Sequence, residues 1–135
     1  MTTTFRDDLR AMLLLRLDEM AVEHPAGHQG KLAARFLLWS KSGEGIELMF
    51  EKGPSSSPNL WILYDFVEPL LTRGIEHRLS TRLSLHADDK PGGKTTYGRH
   101  SALKSMRQLS DADLVCFKLS SINELNVILD WLQQQ

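Results

Sequence analysis

The residues best suited to chemistry lie in one glycine-rich stretch, Gly93-Lys94-Thr95-Thr96-Tyr97-Gly98-Arg99-His100-Ser101-Ala102-Leu103-Lys104. We expect a short helix to begin near Ser101, where unpaired backbone N–H groups and the positive helix end attract an anion. Lys94, Arg99 and Lys104 add full charges there, and an arginine can grip a phosphate or carboxylate with two parallel hydrogen bonds. Tyr97 offers an aromatic face for stacking. The stretch therefore predicts an anion-binding site.

The alternating segment 75–86 precedes this stretch and would extend its basic surface. Because side chains alternate along a strand, Arg78, Arg82 and His86 share one face, opposite the leucines of the segment. If that face adjoins the glycine-rich stretch, the chain carries a continuous basic surface. The competing interpretation is a solvated loop whose serine only caps a short helix.

The distribution of charge along the chain points to the same region. Residues 73–107 carry eight Lys and Arg against three acidic residues, a net +5, whereas residues 1–72 and 108–135 each carry −3. A local basic excess steers anionic partners. We therefore expect a small non-catalytic binding module that recognises an anionic partner through this central segment, with nucleic acid as the leading class.

Two other function classes fit the same residues. In a metal-independent phosphodiesterase or ribonuclease, His100 would act as general acid or base, His86 would be the second proton carrier, and Lys94 or Arg99 would stabilise charge on a phosphoryl oxygen. In an antidote- or inhibitor-type module, the acidic first and last helices would contact a basic protein partner. Binding is the leading hypothesis because it needs only charge and shape.

Three further motifs lack the spacing or the structural context that their usual chemistry requires. The Gly-Lys-Thr of residues 93–95 ends like a phosphate-binding loop, but Asp88 stands where the first glycine of that pattern belongs. Glu47 and Glu51 would lie about 13 Å apart on a strand, at ~3.3 Å per residue, too far for paired glycosidase carboxylates. His24 and His28 are spaced like metal ligands, but a proline and a glycine between them indicate a turn. We therefore expect neither a metal nor a cofactor.

The single cysteine, Cys116, lies in an apolar segment, and we expect a buried, unreactive thiol. One cysteine excludes an intramolecular disulfide framework and multi-cysteine zinc modules. The aliphatic run 12–15 is too short to span a bilayer and is followed closely by charged residues, so it does not resemble a signal-peptide core. We expect a soluble cytoplasmic protein with no membrane partner; the sequence does not set its oligomeric state.

Apolar periodicity predicts a helix at each end of the chain. Residues 5–20 carry an apolar stripe at three- and four-residue steps, with Thr4 as a cap and His24-Pro25-Ala26-Gly27 as the end. Ser121, with Glu124 three residues on, predicts a capping box for a last helix that reaches Gln133. A shorter helix is expected over 101–109, and 65–73 is ambiguous because Pro69 limits where a helix can start.

Strands are predicted over 36–40, 46–51, 59–64, 75–86 and 113–119. In the second of these, Glu47, Met49 and Glu51 face a side that we expect to be wet or covered by charge-tolerant contacts. The whole chain, 1–135, then forms a single α+β domain with an antiparallel-rich sheet of four to five strands and both terminal helices packed on one face. The expected core comprises Leu9, Leu13, Leu17, Leu48, Phe50, Leu83, Val115, Phe117, Leu125 and Leu129.

Overall fold

The computed structural model describes residues 5–28, 31–53, 56–83 and 99–135, and these form an α+β structure. The helices are α1 (Phe5–Met20), α2 (Tyr64–Val67) and α3 (Ile122–Gln133), with 3-10 turns at Glu68–Thr72 and Ser101–Leu103. The strands are β1 (Val22–Glu23), β2 (Ala33–Trp39), β3 (Gly45–Glu51), β4 (Asn59–Leu63), β5 (His77–Ser80) and β6 (Leu114–Lys118). The predicted Thr4 cap lies outside the described residues.

The six strands form one sheet in the order β1-β2-β3-β4-β6-β5, and every neighbouring pair is antiparallel. The predicted α+β class and antiparallel pairing are confirmed, but the sheet formed by the described residues has six strands rather than four or five. The additional strand is β1, whose two residues are too few to carry a periodic signal. Because β6 inserts between β4 and β5, β5 becomes an outer strand.

One face of the sheet, called here the helical face, is covered by α1 and α3 as predicted. Leu13 and Leu17 of α1 and Leu129 of α3 are fully buried against it. The sheet residues in this core include Phe36, Leu48, Phe50, Ile62, Val115 and Phe117. Leu83 was wrongly predicted to join them: it is 83% exposed, because β5 ends at Ser80 and the strand alternation does not reach it.

The opposite face, called here the second face, is not wet. Ala102, Leu103, Met106 and Leu109 pack against it and form a second buried cluster with Ala33, Met49, Trp61, Leu114 and Cys116. These covering residues come from segment 99–112, which makes a 3-10 turn and further turns instead of the predicted helix over 101–109. Met49 and Glu47 are buried beneath it, and the Glu47 carboxylate is bonded to His24 and Gln108, so of the two expected arrangements this side is covered by charge-tolerant contacts and is not wet.

Local signals explain where the helices begin and end. Ser121 accepts a hydrogen bond from the backbone N–H of Glu124 at 3.2 Å, so the predicted cap of α3 is confirmed. The Glu124 carboxylate bonds Ser120 rather than Ser121. α1 ends at Met20, earlier than predicted, and the chain turns separately at Gly27, which has φ +78°. Within the described residues, no helix has the length and apolarity needed to cross a membrane.

Candidate functional site

Arg99, the central residue of the predicted anion site, is bonded inside the protein. Its Nε donates to Ser80 Oγ at 2.9 Å, and its terminal nitrogens donate to the carbonyl oxygens of Ser80 at 2.8 Å and Leu109 at 3.3 Å, and to that of Ala112. These bonds tie segment 99–112 to the end of β5. A phosphate at Arg99 would have to replace them, so this guanidinium stabilises the fold in the structure.

The expected helix start at Ser101 is a 3-10 turn of three residues, Ser101–Leu103. His100, not Ser101, caps it, because Nδ1 of His100 accepts the backbone N–H of Ala102 at 3.1 Å. A turn this short provides no α-helical macrodipole to attract an anion. Ser101 and Lys104 are exposed on the outside of this segment.

Arg82 follows β5 and is engaged with the loop before β6. Its Nε lies 3.2 Å from Oδ1 of Asp111, with both side chains about half exposed or more. Its backbone N–H donates to Asp113 Oδ1 at 2.7 Å. Its charge is thus partly offset by neighbouring carboxylates. The other residues named for this surface, His86, Lys94 and Tyr97, lie outside the described residues.

Of the predicted site residues that the structure describes, Arg78 is exposed and its guanidinium stacks on an aromatic ring. It projects from β5 on the second face, and its guanidinium carbon lies 4.9 Å from the ring centroid of Trp61. Within the described residues, its guanidinium makes no hydrogen bond or ion pair. A cation over an indole face is attracted by the ring quadrupole. Arg78 is therefore positioned by stacking, and no other described residue occupies its N–H donors.

The Trp61 ring is itself fixed by Glu51. The Glu51 carboxylate oxygen Oε2 accepts the indole N–H of Trp61 at 3.0 Å and the side-chain amide of Asn59 at 2.7 Å. Strand register explains this arrangement, because Met49 pairs with Trp61 and Trp61 pairs with Cys116, which in turn pairs with Arg78. The Trp61 ring on which Arg78 stacks therefore lies on β4, between β3 and β6.

A cleft of about 210 Å³ opens beside Arg78 and is called here the β5 cleft. Its lining residues are Ser57, Asn59, Glu76, His77, Arg78, Cys116 and Lys118. Lys118 Nζ lies 3.6 Å from Glu76 at its rim, and both side chains are more than half exposed. The cleft therefore combines an available guanidinium with an exposed ammonium and amide and hydroxyl groups, which suits a small anionic group.

The Cys116 thiol at this cleft is buried, as predicted, with 2% of its surface exposed. Burial raises the pKa of the thiol from 9.0 to about 12, although the nearby Arg78 guanidinium acts in the opposite direction. Arg78 is close to the thiol because its residue pairs with Cys116 across the strands. Desolvation outweighs that charge, so the group is a neutral thiol and not a nucleophile at neutral pH.

Sequence reasoning missed that Asn59, Trp61 and Lys118 flank Arg78. Alternation along 59–63 and 114–118 puts each of them on a definite face, but it does not show which strands are neighbours. That information comes from the pairing of β4 and β5 with β6. The available sequence signal was the two-residue spacing within a strand, which puts Asn59 with Trp61 on one face of β4 and Cys116 with Lys118 on one face of β6.

His24 and Glu47 form a buried pair with a structural role. His24 Nδ1 accepts the backbone N–H of Ala26 at 3.0 Å, so Nε2 donates to Glu47 Oε2 at 2.6 Å. The other carboxylate oxygen accepts the backbone N–H of Gln108 at 2.6 Å. His28 instead uses Nδ1 to accept the backbone N–H of Arg35. His24 and His28 thus have separate partners, and the described residues contain no group of three metal-ligating side chains.

A second cleft, of about 290 Å³, lies between the 3-10 turn Glu68–Thr72 and α3. It is lined by Arg73 and Asp130 together with apolar residues such as Leu70 and Trp131. Because its two charged residues have opposite sign, it offers no excess of positive charge. The β5 cleft is the better candidate for an anion.

No protein-family model, curated protein or solved structure matches this chain.

Proposed function

We propose that the protein is a small non-catalytic binding module that takes an anionic partner at the β5 cleft, with Arg78 as the principal contact. The observation that carries this proposal is the guanidinium of Arg78, which is stacked on Trp61 and makes no hydrogen bond among the described residues. A positioned guanidinium loses little entropy when it binds a carboxylate or phosphate, and such bonds are charge-assisted. Lys118 lies at the rim as well, where Glu76 at 3.6 Å partly offsets its charge, so Arg78 supplies the excess positive charge of the cleft.

A binding role has more support than the phosphodiesterase hypothesis. Acid–base cleavage needs two proton carriers that converge on one substrate. Among the described residues His100 is the one predicted proton carrier, and its Nδ1 is occupied by the Ala102 N–H. The Cys116 thiol beside Arg78 is neutral and buried, so it offers no alternative nucleophile.

The test is a titration of the protein with two labelled polyanions, a short oligoglutamate and a single-stranded oligonucleotide, followed by fluorescence anisotropy at low salt. We expect Arg78→Gln to weaken the binding of at least one probe about tenfold or more, because a hydrogen bond to a charged group is worth about 1.5–3 kcal/mol. If the oligonucleotide binds, the variant should also make the salt dependence shallower by about one phosphate contact.

Arg82→Gln is the matched control, because it removes the same charge from an exposed arginine that already pairs with Asp111. We expect it to change affinity by less than about fivefold, since exposed ion pairs are worth at most about 1 kcal/mol. Absence of binding for both probes at low salt, or equal losses in the two variants, contradicts the proposal.

A further inference from the structure

We propose that the partner is an extended peptide of alternating acidic and apolar residues, which binds along the outer edge of β5 as an additional antiparallel strand. This inference rests on the proposed function, because an acidic side chain of the peptide is the anion that Arg78 takes. It adds a backbone contact that the cleft alone does not require.

The pairing of β5 with β6 shows which peptide groups point outward. Lys118 N donates to Glu76 O at 2.8 Å, so Glu76 and Lys118 form a hydrogen-bonded pair. Such pairs alternate along an antiparallel ladder, and the register therefore directs the backbone groups of Arg78 and Ser80 toward β6. The N–H and C=O groups of His77 and Leu79 then point away from the sheet, and within the described residues they have no hydrogen-bond partner.

Two N–H and two C=O groups with no hydrogen-bond partner among the described residues make this edge complementary to another peptide backbone. A nucleic-acid backbone supplies acceptors but few donors, whereas an added strand supplies both and uses the whole edge. This complementarity of donors and acceptors favours a peptide over a nucleic acid.

The side chains of β5 specify the pattern of that peptide. A residue opposite Arg78 would lie on the second face beside the guanidinium, so a carboxylate is favoured there. A residue opposite Leu79 would lie on the helical face, where Leu79 is 52% exposed and pairs with the buried Val115. An apolar side chain would cover it. Acidic and apolar residues must therefore alternate.

The probe is a fluorescent peptide that alternates Glu and Val, with a Lys–Val peptide as the charge control. We expect the Glu–Val peptide to bind at least tenfold more tightly. In antiparallel pairing the Val residues oppose His77 and Leu79, so their N–H groups face β5 and those of the Glu residues face away. N-methylation of Val should therefore weaken binding at least tenfold, and N-methylation of Glu should change it by less than about threefold.

Two protein variants test the same contact from the other side. Leu79→Pro removes an N–H that points outward and leaves the β5–β6 ladder intact, so it should weaken binding at least tenfold in a folded protein. Arg78→Glu should reverse the preference toward the Lys–Val peptide.

The outcomes separate this inference from the proposed function. Equal binding of the two N-methylated peptides, with binding still lost in Arg78→Glu, leaves an anion site but overturns strand addition. Unchanged peptide affinity in Arg78→Glu overturns the proposed function as well. Arg78-dependent binding of the oligonucleotide without peptide binding overturns the peptide as partner. A concentration-dependent dimer that dissociates in Leu79→Pro assigns the edge to a second copy and also overturns it.

Discussion

Two arginines near the end of β5 illustrate how the same side chain serves different purposes. Arg99 donates to carbonyl oxygens of Ser80, Leu109 and Ala112, so its guanidinium joins two parts of the chain. Arg78 lies over Trp61 and makes no hydrogen bond or ion pair among the described residues. Sequence reasoning gave both the same role, because residue type and local charge do not reveal which backbone carbonyls lie within reach.

Arg99→Ala should cost about 2–3 kcal/mol of unfolding free energy, because bonds to a charged donor are worth about 1.5–3 kcal/mol and the carbonyls would lose them. Arg99→Lys should recover little, since an ammonium cannot reproduce the fork geometry. Urea denaturation measures both. Arg82→Ala, an exposed control, should cost at most about 1 kcal/mol. Equal losses at the two positions would contradict this assignment.

Cys116 should be protected from thiol reagents in the native protein, because burial raises the pKa of its thiol to about 12. Modification at pH 8 should be much slower than in the urea-unfolded chain, where the pKa returns to about 9. Absorbance of the released thiolate of an aromatic disulfide reagent follows both rates. Comparable rates would show that the site opens readily.

The same thiol should contribute to the pH dependence of stability. Above pH 9 the unfolded chain loses the thiol proton while the folded protein keeps it, so the unfolded state binds fewer protons and stability falls as pH rises from 9 toward 12. Cys116→Ala lacks this contribution. In parallel denaturations, the difference in unfolding free energy between wild type and Cys116→Ala should therefore narrow or change sign between pH 9 and pH 12. A difference that stays constant with pH would contradict this expectation.

At the scale of elements, strong periodic signals were reliable and short ones were not. The stripes of α1 and α3 correctly predicted both helices and the face that they cover. Segment 99–112 was misassigned because its apolar residues, among them Leu103 and Met106, have helical spacing but pack as turns on the second face. Alternation through 75–86 likewise overextended β5, since tertiary contacts with Asp111 and Asp113 end it.

Leu129→Ala should cost about 2–5 kcal/mol, because Leu129 of α3 is fully buried against the helical face and its removal leaves a cavity. Leu83→Ala deletes the same atoms from an 83% exposed side chain and should cost less than about 0.5 kcal/mol. Chemical denaturation compares them. A loss below 0.5 kcal/mol for Leu129→Ala would show that α3 does not pack as described.

At the scale of the whole molecule, the sheet is held between two layers of different character. The helical face is sealed by leucines, whereas segment 99–112 is also attached by polar contacts, including the Glu47–Gln108 bonds and those of Arg35 to Ala102 and Ser105. The sequence indicated the first layer through hydrophobic periodicity. It could not indicate the second layer, because the bonds between Glu47 and segment 99–112 exist only in the folded chain.

Glu47→Gln should loosen that second layer. The carboxylate accepts from both His24 Nε2 and Gln108 N, and an amide would set one N–H donor group against another. We expect a loss of about 1–3 kcal/mol and faster amide hydrogen exchange across 99–112 than across α3. Glu44→Gln, in the exposed β2–β3 turn, should leave both unchanged. Uniform exchange across the two layers would contradict the separation.

The position of β6 between β4 and β5 determines the order in which this chain can assemble. β2 and β3 are joined by a tight turn and can pair early, but Leu63 of β4 must wait for Leu114, far along the chain. Bringing β4 and β6 together lowers the conformational entropy of the chain between them before any contact between the two strands has formed, and this slows folding. During that interval β4 presents an unpaired apolar edge through Leu60, Trp61 and Ile62, the feature that promotes aggregation. Aggregation during refolding at high protein concentration should therefore begin at β4, which becomes a central, protected strand once β6 has paired with it.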